Sequence, residues 1–235
     1  MQTGGVKGVP QNYVPADFDY AVWDVTQEAL KAGIIIMMAT GNGNENLDLD
    51  IYSEYRSRPD NGVIRVGGGD RSCRNINIST YGSIVHVQGW VEFVTTTGYG
   101  YLYNGGPNNN YTNYFNGTSS ATPIAASAVV AIQSWYKQQT GKVLTPHEMR
   151  ARLIKTGTPQ NNQWNSNHIG PLPNVRNAIE ELQRRLQPPT DYPLWDRTKL
   201  YMAGDKVSWK NKKWFAIRNN QGWELGNSDY WGEIL

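Results

Sequence analysis

The stretch that most restricts this chain is residues 122–133, TPIAASAVVAIQ, where small and apolar side chains follow one another without a charge. The composition predicts a helix that is apolar nearly all round, and such a helix has to be enclosed by other layers. Directly ahead of it stands NGTSS, residues 116–120. Ser119 is thereby placed at the positive end of the helix, among backbone N–H groups that have no intrahelical partner. A serine there can form a tetrahedral adduct whose oxyanion meets those donors. A small-residue helix headed by serine is also a common packing device, so the run alone leaves both readings open.

The surrounding pattern alternates helix and strand. Residues 17–32 carry Phe18, Ala21, Val22, Val25, Ala29 and Leu30 at helical spacing, with Asp17 as the expected N-cap and Gly33 as the stop. GIIIMMAT at 33–40 is a continuous apolar run of the kind found in strands covered on both faces. GVIRVGG at 62–68 and SIVHV at 83–87 are predicted as further strands. Thr145, Pro146 and Glu148 spell a capping box with proline in the first turn, and PNVRNAIEELQRRL at 173–186 is a last amphipathic helix. Helices interleaved with strands predict an α/β domain built on a mainly parallel sheet. The tyrosine- and asparagine-rich stretch 99–115 is expected to be a long polar surface loop.

ATGNGN at 39–44 follows the predicted buried strand, which sets Asn42 at the strand's C-terminal edge. Sites in open α/β sheets form outside that edge. An asparagine amide aimed at the same point as the helix head supplies a second oxyanion donor, worth on the order of 3 kcal/mol. A turn asparagine between glycines is the plainer alternative.

Charge and cysteine content exclude several classes. The 235 residues carry a formal net charge of +2 with both signs mixed, which gives no polybasic footprint for nucleic acid or a membrane surface. No apolar run approaches the roughly 20 residues that span a bilayer. The single cysteine, Cys73, rules out an internal disulfide and a cysteine-based metal cluster. It lies between Arg71 and Arg74, which favours a thiolate, but no histidine is near in sequence to activate it, and an inert loop thiol is the simpler reading. The first ten residues lack the apolar centre of a signal peptide.

GTSSATP at 117–123, with AGIIIMMATGNGN at 32–44, resembles the subtilisin-like serine proteases, the subtilases, whose nucleophile motif is Gly-Thr-Ser-x-Ala-x-Pro and whose oxyanion asparagine ends a strand in Ala-x-Gly-Asn. The resemblance runs in order over residues 1 to about 186. It implies that Ser119 is the nucleophile and Asn42 the oxyanion side chain, and that the substrate is a polypeptide. MQTGG resembles the strand and glycine turn that line the primary specificity pocket, which would make Thr3, Gly4 and Gly5 substrate contacts. Gly117 and Thr118, which allow a tight entry to the helix, belong on the same match to the substrate surface. STYGSIVHVQGW and TGTPQ are similar to secreted bacterial members, so the parent protein is expected to be extracellular.

One part of the family pattern is missing. A subtilase runs in the order Asp, His, Ser, and neither Asp-Thr/Ser-Gly at a strand end nor His-Gly-Thr at a helix start occurs here. His86 stands where relatives carry aspartate, His147 falls in the first turn of a late helix, and His168 lies in an asparagine-rich loop. Each is expected to be a surface or packing residue. The chain therefore resembles an incomplete subtilisin-like domain, inactive alone, whose natural partner is the missing N-terminal segment. Bound calcium is common among relatives, but no ligand cluster here is specific enough to assign it.

Five of the nine tryptophans fall after residue 194, which marks a separate unit. RRLQPPTDYP ahead of them would stop a helix and stiffen a linker, giving a peptidase-like domain over 1–186, a linker over 187–191 and a small all-β module over 192–235. Gly204-Asp205 and Asn211-Lys212 are its expected turns. Tyr-Pro-x-Trp, Tyr-x-x-Gly-Asp-x-Val, Trp-x-Ala and a closing Trp resemble the chitin- and cellulose-binding modules of secreted hydrolases. On that resemblance Trp195, Tyr201 and Trp231 are structural or platform aromatics, Trp214 and Trp223 form the exposed ligand face, and chitin or cellulose is the expected partner. Ile217-Arg218 replaces the paired aromatic that often follows in the family. The alternative to a peptidase half is a non-catalytic polysaccharide-binding protein on a degenerate protease scaffold.

Overall fold

The computed structural model describes residues 2–5, 12–186, 192–210 and 212–234. The expected linker 187–191 and the turn residue Asn211 lie outside the described residues. Two compact units are present, residues 1–178 and 179–235. In chain order the elements of the first are β1 (Gln2–Gly4), β2 (Tyr13–Pro15), α1 (Tyr20–Lys31), β3 (Met37–Ala39), α2 (Ser53–Ser57), β4 (Ile64–Gly69), β5 (Val87–Trp90), β6 (Val94–Thr97), β7 (Tyr103–Asn104), β8 (Asn110–Phe115), α3 (Thr118–Thr140) and α4 (Pro146–Thr156). Helix α5 (Val175–Leu186) spans the division.

The parallel sheet has three strands in the order β3-β4-β5, and α3 packs across all three. All six residues of β4 are buried. Helix and sheet approach so closely that a side chain at Gly89 would run into the Ala121 carbonyl. The small residues foreseen between 122 and 133 serve this approach, but the helix is enclosed along one stripe, not all round. Ala121, Ala125, Ala128, Val129 and Ile132 are buried, while Val130 is 64% exposed. The other sheets are antiparallel: β1-β2, and β6-β8-β7. The domain is thus mixed α/β with one parallel sheet, where a mainly parallel sheet was expected.

Three local expectations are corrected. SIVHV is largely turn and irregular chain, with strand only from Val87. The His86 ring explains the delay, because its Nδ1 accepts the Arg65 N–H at 2.9 Å in place of a backbone carbonyl. Residues 99–115 are not a loop but most of the β6-β8-β7 sheet, where alternating Tyr, Thr and Asn satisfy a pleated surface. The third concerns α1. Its N-cap is Asp19, which accepts from the N–H groups of Ala21 and Val22. Its buried face is Trp23 and Thr26, whereas Ala21, Val22 and Val25 of the expected stripe face outward, Val25 being 68% exposed.

Asp17 has a different task from capping. It is fully buried and receives Arg65 Nη2 at 2.5 Å, Tyr55 Oη at 2.6 Å and Asn61 Nδ2 at 2.8 Å. Burial pushes the Tyr55 hydroxyl well above its ordinary pKa, so it stays a donor. This network joins the entrance of α1 to the N-terminal end of β4.

The second unit contains β9 (Leu200–Tyr201), β10 (Lys206–Trp209), β11 (Lys212–Ala216), β12 (Asn220–Gln221) and β13 (Trp231–Ile234). β10-β11-β13 form an antiparallel sheet, β9 pairs with β12, and Gly204-Asp205 make the foreseen turn. Tyr201, Val207, Ala216 and Trp231 are its core, with Trp195 and Trp214 packed against them.

Replacing Asp17 by alanine leaves the Arg65 guanidinium buried without its carboxylate, a loss of about 3–5 kcal/mol for such a pair. Urea unfolding of Asp17→Ala against wild type measures it, and a difference below about 1 kcal/mol would show that the network is dispensable.

Candidate active site

The C-terminal end of β3 and the N-terminal end of α3 meet at one point. Beyond Ala39 the chain turns at Gly41 (φ 107°), and the Asn42 side chain reaches the helix head. Its Oδ1 accepts the Thr118 N–H at 2.8 Å and the Thr118 hydroxyl at 2.9 Å. Two donors on Oδ1 fix the amide's orientation and leave Nδ2 as the atom able to donate elsewhere. Asn42 is itself held by its N–H, which Gln2 Oε1 accepts at 2.8 Å. β1 is thereby tied beside the same loop.

The helix entry depends on Gly117. Its φ of 76° is a region that glycine enters without a Cβ penalty. A Cβ there would also stand 2.8 Å from Asn42 Nδ2. Its N–H donates to the Val91 carbonyl at 2.9 Å, so the residues just past β5 position the helix head.

Two adjacent serines occupy unlike places. Ser120 is fully buried, and its hydroxyl reaches the Trp90 carbonyl at 2.8 Å and the Gly117 carbonyl at 2.9 Å. Ser119 is exposed, and among the described residues neither its hydroxyl nor its N–H is engaged. The arrangement therefore offers an accessible nucleophile, a free N–H at a helix head and an amide donor fixed next to them.

The remaining sequence candidates fall as follows. Thr3, Gly4 and Gly5 belong to a β-ribbon: Thr3 pairs with Val14, Gly4 with Tyr13, and the Gly5 N–H donates to Asn12 O at 2.7 Å. That ribbon meets the site through Gln2. None of the three histidines stands at this end of the sheet. His86 precedes β5, and burial, with Arg65 and Arg150 nearby, pushes its pKa down to about 3. His168 Nε2 lies 3.1 Å from the Val85 carbonyl, and His147 Nε2 lies 3.2 Å from Asp60, which precedes β4. All three are at the strands' N-terminal ends, whereas Asn42 and Ser119 follow the C-terminal ends. Cys73 is buried, and burial raises its thiol pKa, as in an inert thiol. Among the described residues no three His, Cys, Asp or Glu side chains stand together to hold a metal ion. No described helix is long and apolar enough to cross a membrane.

In the second unit Tyr201 is only 2% exposed and takes the Asp196 N–H on its hydroxyl, so it is a core residue and no part of a ligand platform. Trp214 is half-buried in β11, with the Lys212 ammonium 5.9 Å from its ring. Trp223 is 47% exposed and stacks on Tyr230 at 4.5 Å and 6°. Arg218, which departs from the family pattern, stands 5.6 Å from the same Tyr230 ring. A cleft of about 510 Å³ is lined by Trp195, Trp209 and Trp214 with Arg197, Lys212 and Glu224. Trp209 was not among the sequence candidates, since the alternation along β10 does not separate a cleft wall from a core residue.

With this geometry in hand, the wider comparisons fit. Residues 3–171 match the model of the subtilase family, and the chain belongs to that family. Two curated proteins, each called a calcium-dependent protease, from Trichormus variabilis and a Nostoc species, are 34% identical over 43% of this chain and 17% of their own length. Among solved structures, the prenylagaramide maturation protease PagA is similar with a TM-score of 0.53 and 21% identity, covering 77% of this chain and 59% of that one. A lanthipeptide protease gives 0.56 and 17%, covering 71% and 56%. The chain thus spans less than two thirds of each of these relatives, and the structural likenesses speak for the fold.

The unlike bonding of the two serines is testable. Ser119→Ala should leave stability within about 0.5 kcal/mol of wild type, as for a surface change. Ser120→Ala should cost about 1 kcal/mol through lost buried hydrogen bonds. Chemical denaturation of both variants checks the contrast, and equal losses would contradict it.

Proposed function

We propose that this chain carries the nucleophile and oxyanion half of a serine endopeptidase, joined to a polysaccharide-targeting module, in a protein that works outside the cell. The observation that carries the reading is the Asn42 amide, locked by Thr118 beside an exposed Ser119 at the head of a buried-face helix. In the reaction Ser119 Oγ attacks the peptide carbonyl carbon and gives up its proton to an imidazole base. The carbonyl oxygen becomes an oxyanion held by the Ser119 N–H and Asn42 Nδ2. Collapse expels the amine, which takes the proton from the imidazolium, and leaves an acyl-enzyme for water to hydrolyse. Losing one such oxyanion donor costs roughly 10² to 10³ in rate.

The imidazole and its carboxylate come, on this reading, from a segment that this chain does not contain. Three features support it. The three histidines lie at the other end of the sheet. The outer side of α1 leaves Tyr20, Val25 and the nearby Ile34 more than half exposed beside Asp24, Glu28 and Lys31. β3 also pairs only with β4 among the described residues, so its other edge is open to a further strand. Without base and orienter, turnover falls by roughly 10⁶.

Alone, the chain should resist labelling by a fluorophosphonate. Co-refolding with a polypeptide that supplies the Asp-bearing strand and His-bearing helix of a subtilase should restore labelling at Ser119. Asn42→Ala should then slow it by roughly 10². Strong labelling of the isolated chain would overturn this account of the base.

For the module, Trp223 is the feature that suits a sugar ring, because Tyr230 stacks on one face and braces it while the ring stays 47% exposed. Sedimentation with insoluble chitin or cellulose should retain the wild-type chain, and Trp223→Ala should weaken retention by about tenfold. Equal retention of both proteins would remove Trp223 from the ligand face.

A further inference from the structure

The β6-β8-β7 sheet lies outside the roles assigned so far, and its surface is unusual. Phe93, Tyr114, Tyr101 and Tyr99 form a row, with successive ring centroids 6.2, 6.2 and 6.3 Å apart. Each ring is more than half exposed, from 58% at Tyr114 to 74% at Tyr101. Exposed apolar rings in such number mark a surface that meets something. The row starts at the candidate site: Phe93 is two residues past Val91, whose carbonyl holds the Gly117 N–H, and Tyr114 is three residues before Gly117. From there it leads away from Ser119 along the ribbon.

Three observations narrow the partner. No Asp, Glu, Lys or Arg occurs between Glu92 and Lys137; the charges beside the row, Asp70, Arg71, Arg74 and Glu92, stand at its Phe93 end and are of both signs, so burying an unpaired charge on the Tyr114–Tyr101–Tyr99 part would be unfavourable. The ring spacing matches an extended polypeptide, in which side chains on one face of a strand lie about 6.6 Å apart. The rings are also steeply inclined to one another, by 60° between Phe93 and Tyr114 and 82° between Tyr114 and Tyr101. Inclined rings leave notches between them, which accept side chains or proline rings, whereas a sugar ring stacks on one open, flat aromatic face.

We propose that the row Phe93–Tyr114–Tyr101–Tyr99 is a docking surface for an uncharged, extended and proline- or aliphatic-rich segment of the polypeptide substrate, continuous with the site at Ser119. The proposal rests on the peptidase reading and names the substrate class for it. Aromatic-lined grooves recognise polyproline II ligands in this way, because the ligand is ordered before it binds. The row holds the substrate at a distance from the scissile bond and so favours chains over short peptides.

The test uses the full chain, without need of turnover. Fluorescence anisotropy of a short dye-labelled peptide alternating proline with valine should show saturable binding. Tyr101→Ala with Tyr114→Ala should weaken it by at least about tenfold, while the Tyr→Phe pair should stay within about twofold. The same peptide with glutamate or lysine in place of valine should bind at least about tenfold more weakly. No binding of the uncharged peptide, or equal binding by the alanine and wild-type chains, would overturn the proposal. Binding of soluble chitin or cellulose oligosaccharides that the same tyrosine substitutions abolish would overturn it in favour of a glycan surface. Fluorophosphonate labelling of Ser119 in the complemented protein reports on the peptidase reading alone, so the two can fail separately.

Discussion

The contact between the Asn42 carbonyl oxygen and the Thr118 N–H joins the end of a strand to the start of a helix 76 residues later. Everything near Ser119 depends on it. The bond satisfies one of the orphan donors at the helix head. With the Thr118 hydroxyl it also takes up Oδ1 and leaves Nδ2 as the side chain's remaining donor. One hydrogen bond thus settles both which backbone donor is used up and which side-chain donor remains.

That geometry needs close backbone packing beneath it, and the glycines provide it. At Gly89 the helix backbone approaches the strand to a distance no side chain permits, and at Gly117 the chain enters the helix through a left-handed turn against Asn42. Farther from the site, the Asp17–Arg65 pair holds α1 against β4 from the opposite end of the sheet. A buried ion pair of this type contributes modestly when whole and becomes costly when broken, so it discriminates against misplaced packing of α1.

Much of the site was legible in the sequence, because its parts are local. A serine ahead of an uncharged small-residue run and an asparagine after a β-branched run each follow from a short stretch, and the Thr145 capping box was readable for the same reason. What was not legible depends on partners far along the chain. Asp17 looks like an N-cap beside a helix, and only the buried Arg65, 48 residues on, makes it an ion-pair residue. The outward turn of Val22 and Val25 follows from Trp23 and Thr26 claiming the inner face through Pro59 and Asn61. Tyr201 was expected by family pattern to be either structural or part of a platform, and its hydroxyl finds a backbone N–H inside the core, a choice that an aromatic pattern alone does not reveal. The 99–115 stretch was mistaken for a loop because its strands alternate one kind of polar residue with another, without the apolar face that usually betrays a strand.

The absence of charge from Phe93 to Tyr136 has a kinetic side. Long-range attraction between opposite charges raises encounter rates well above the neutral range of about 10⁵ to 10⁶ M⁻¹s⁻¹ and makes them sensitive to ionic strength. Rings and amides supply no such attraction, and the charges beside Phe93, Asp70 and Glu92 with Arg71 and Arg74, are of both signs. Capture at this ribbon would therefore proceed at much the same speed in dilute buffer and in brine.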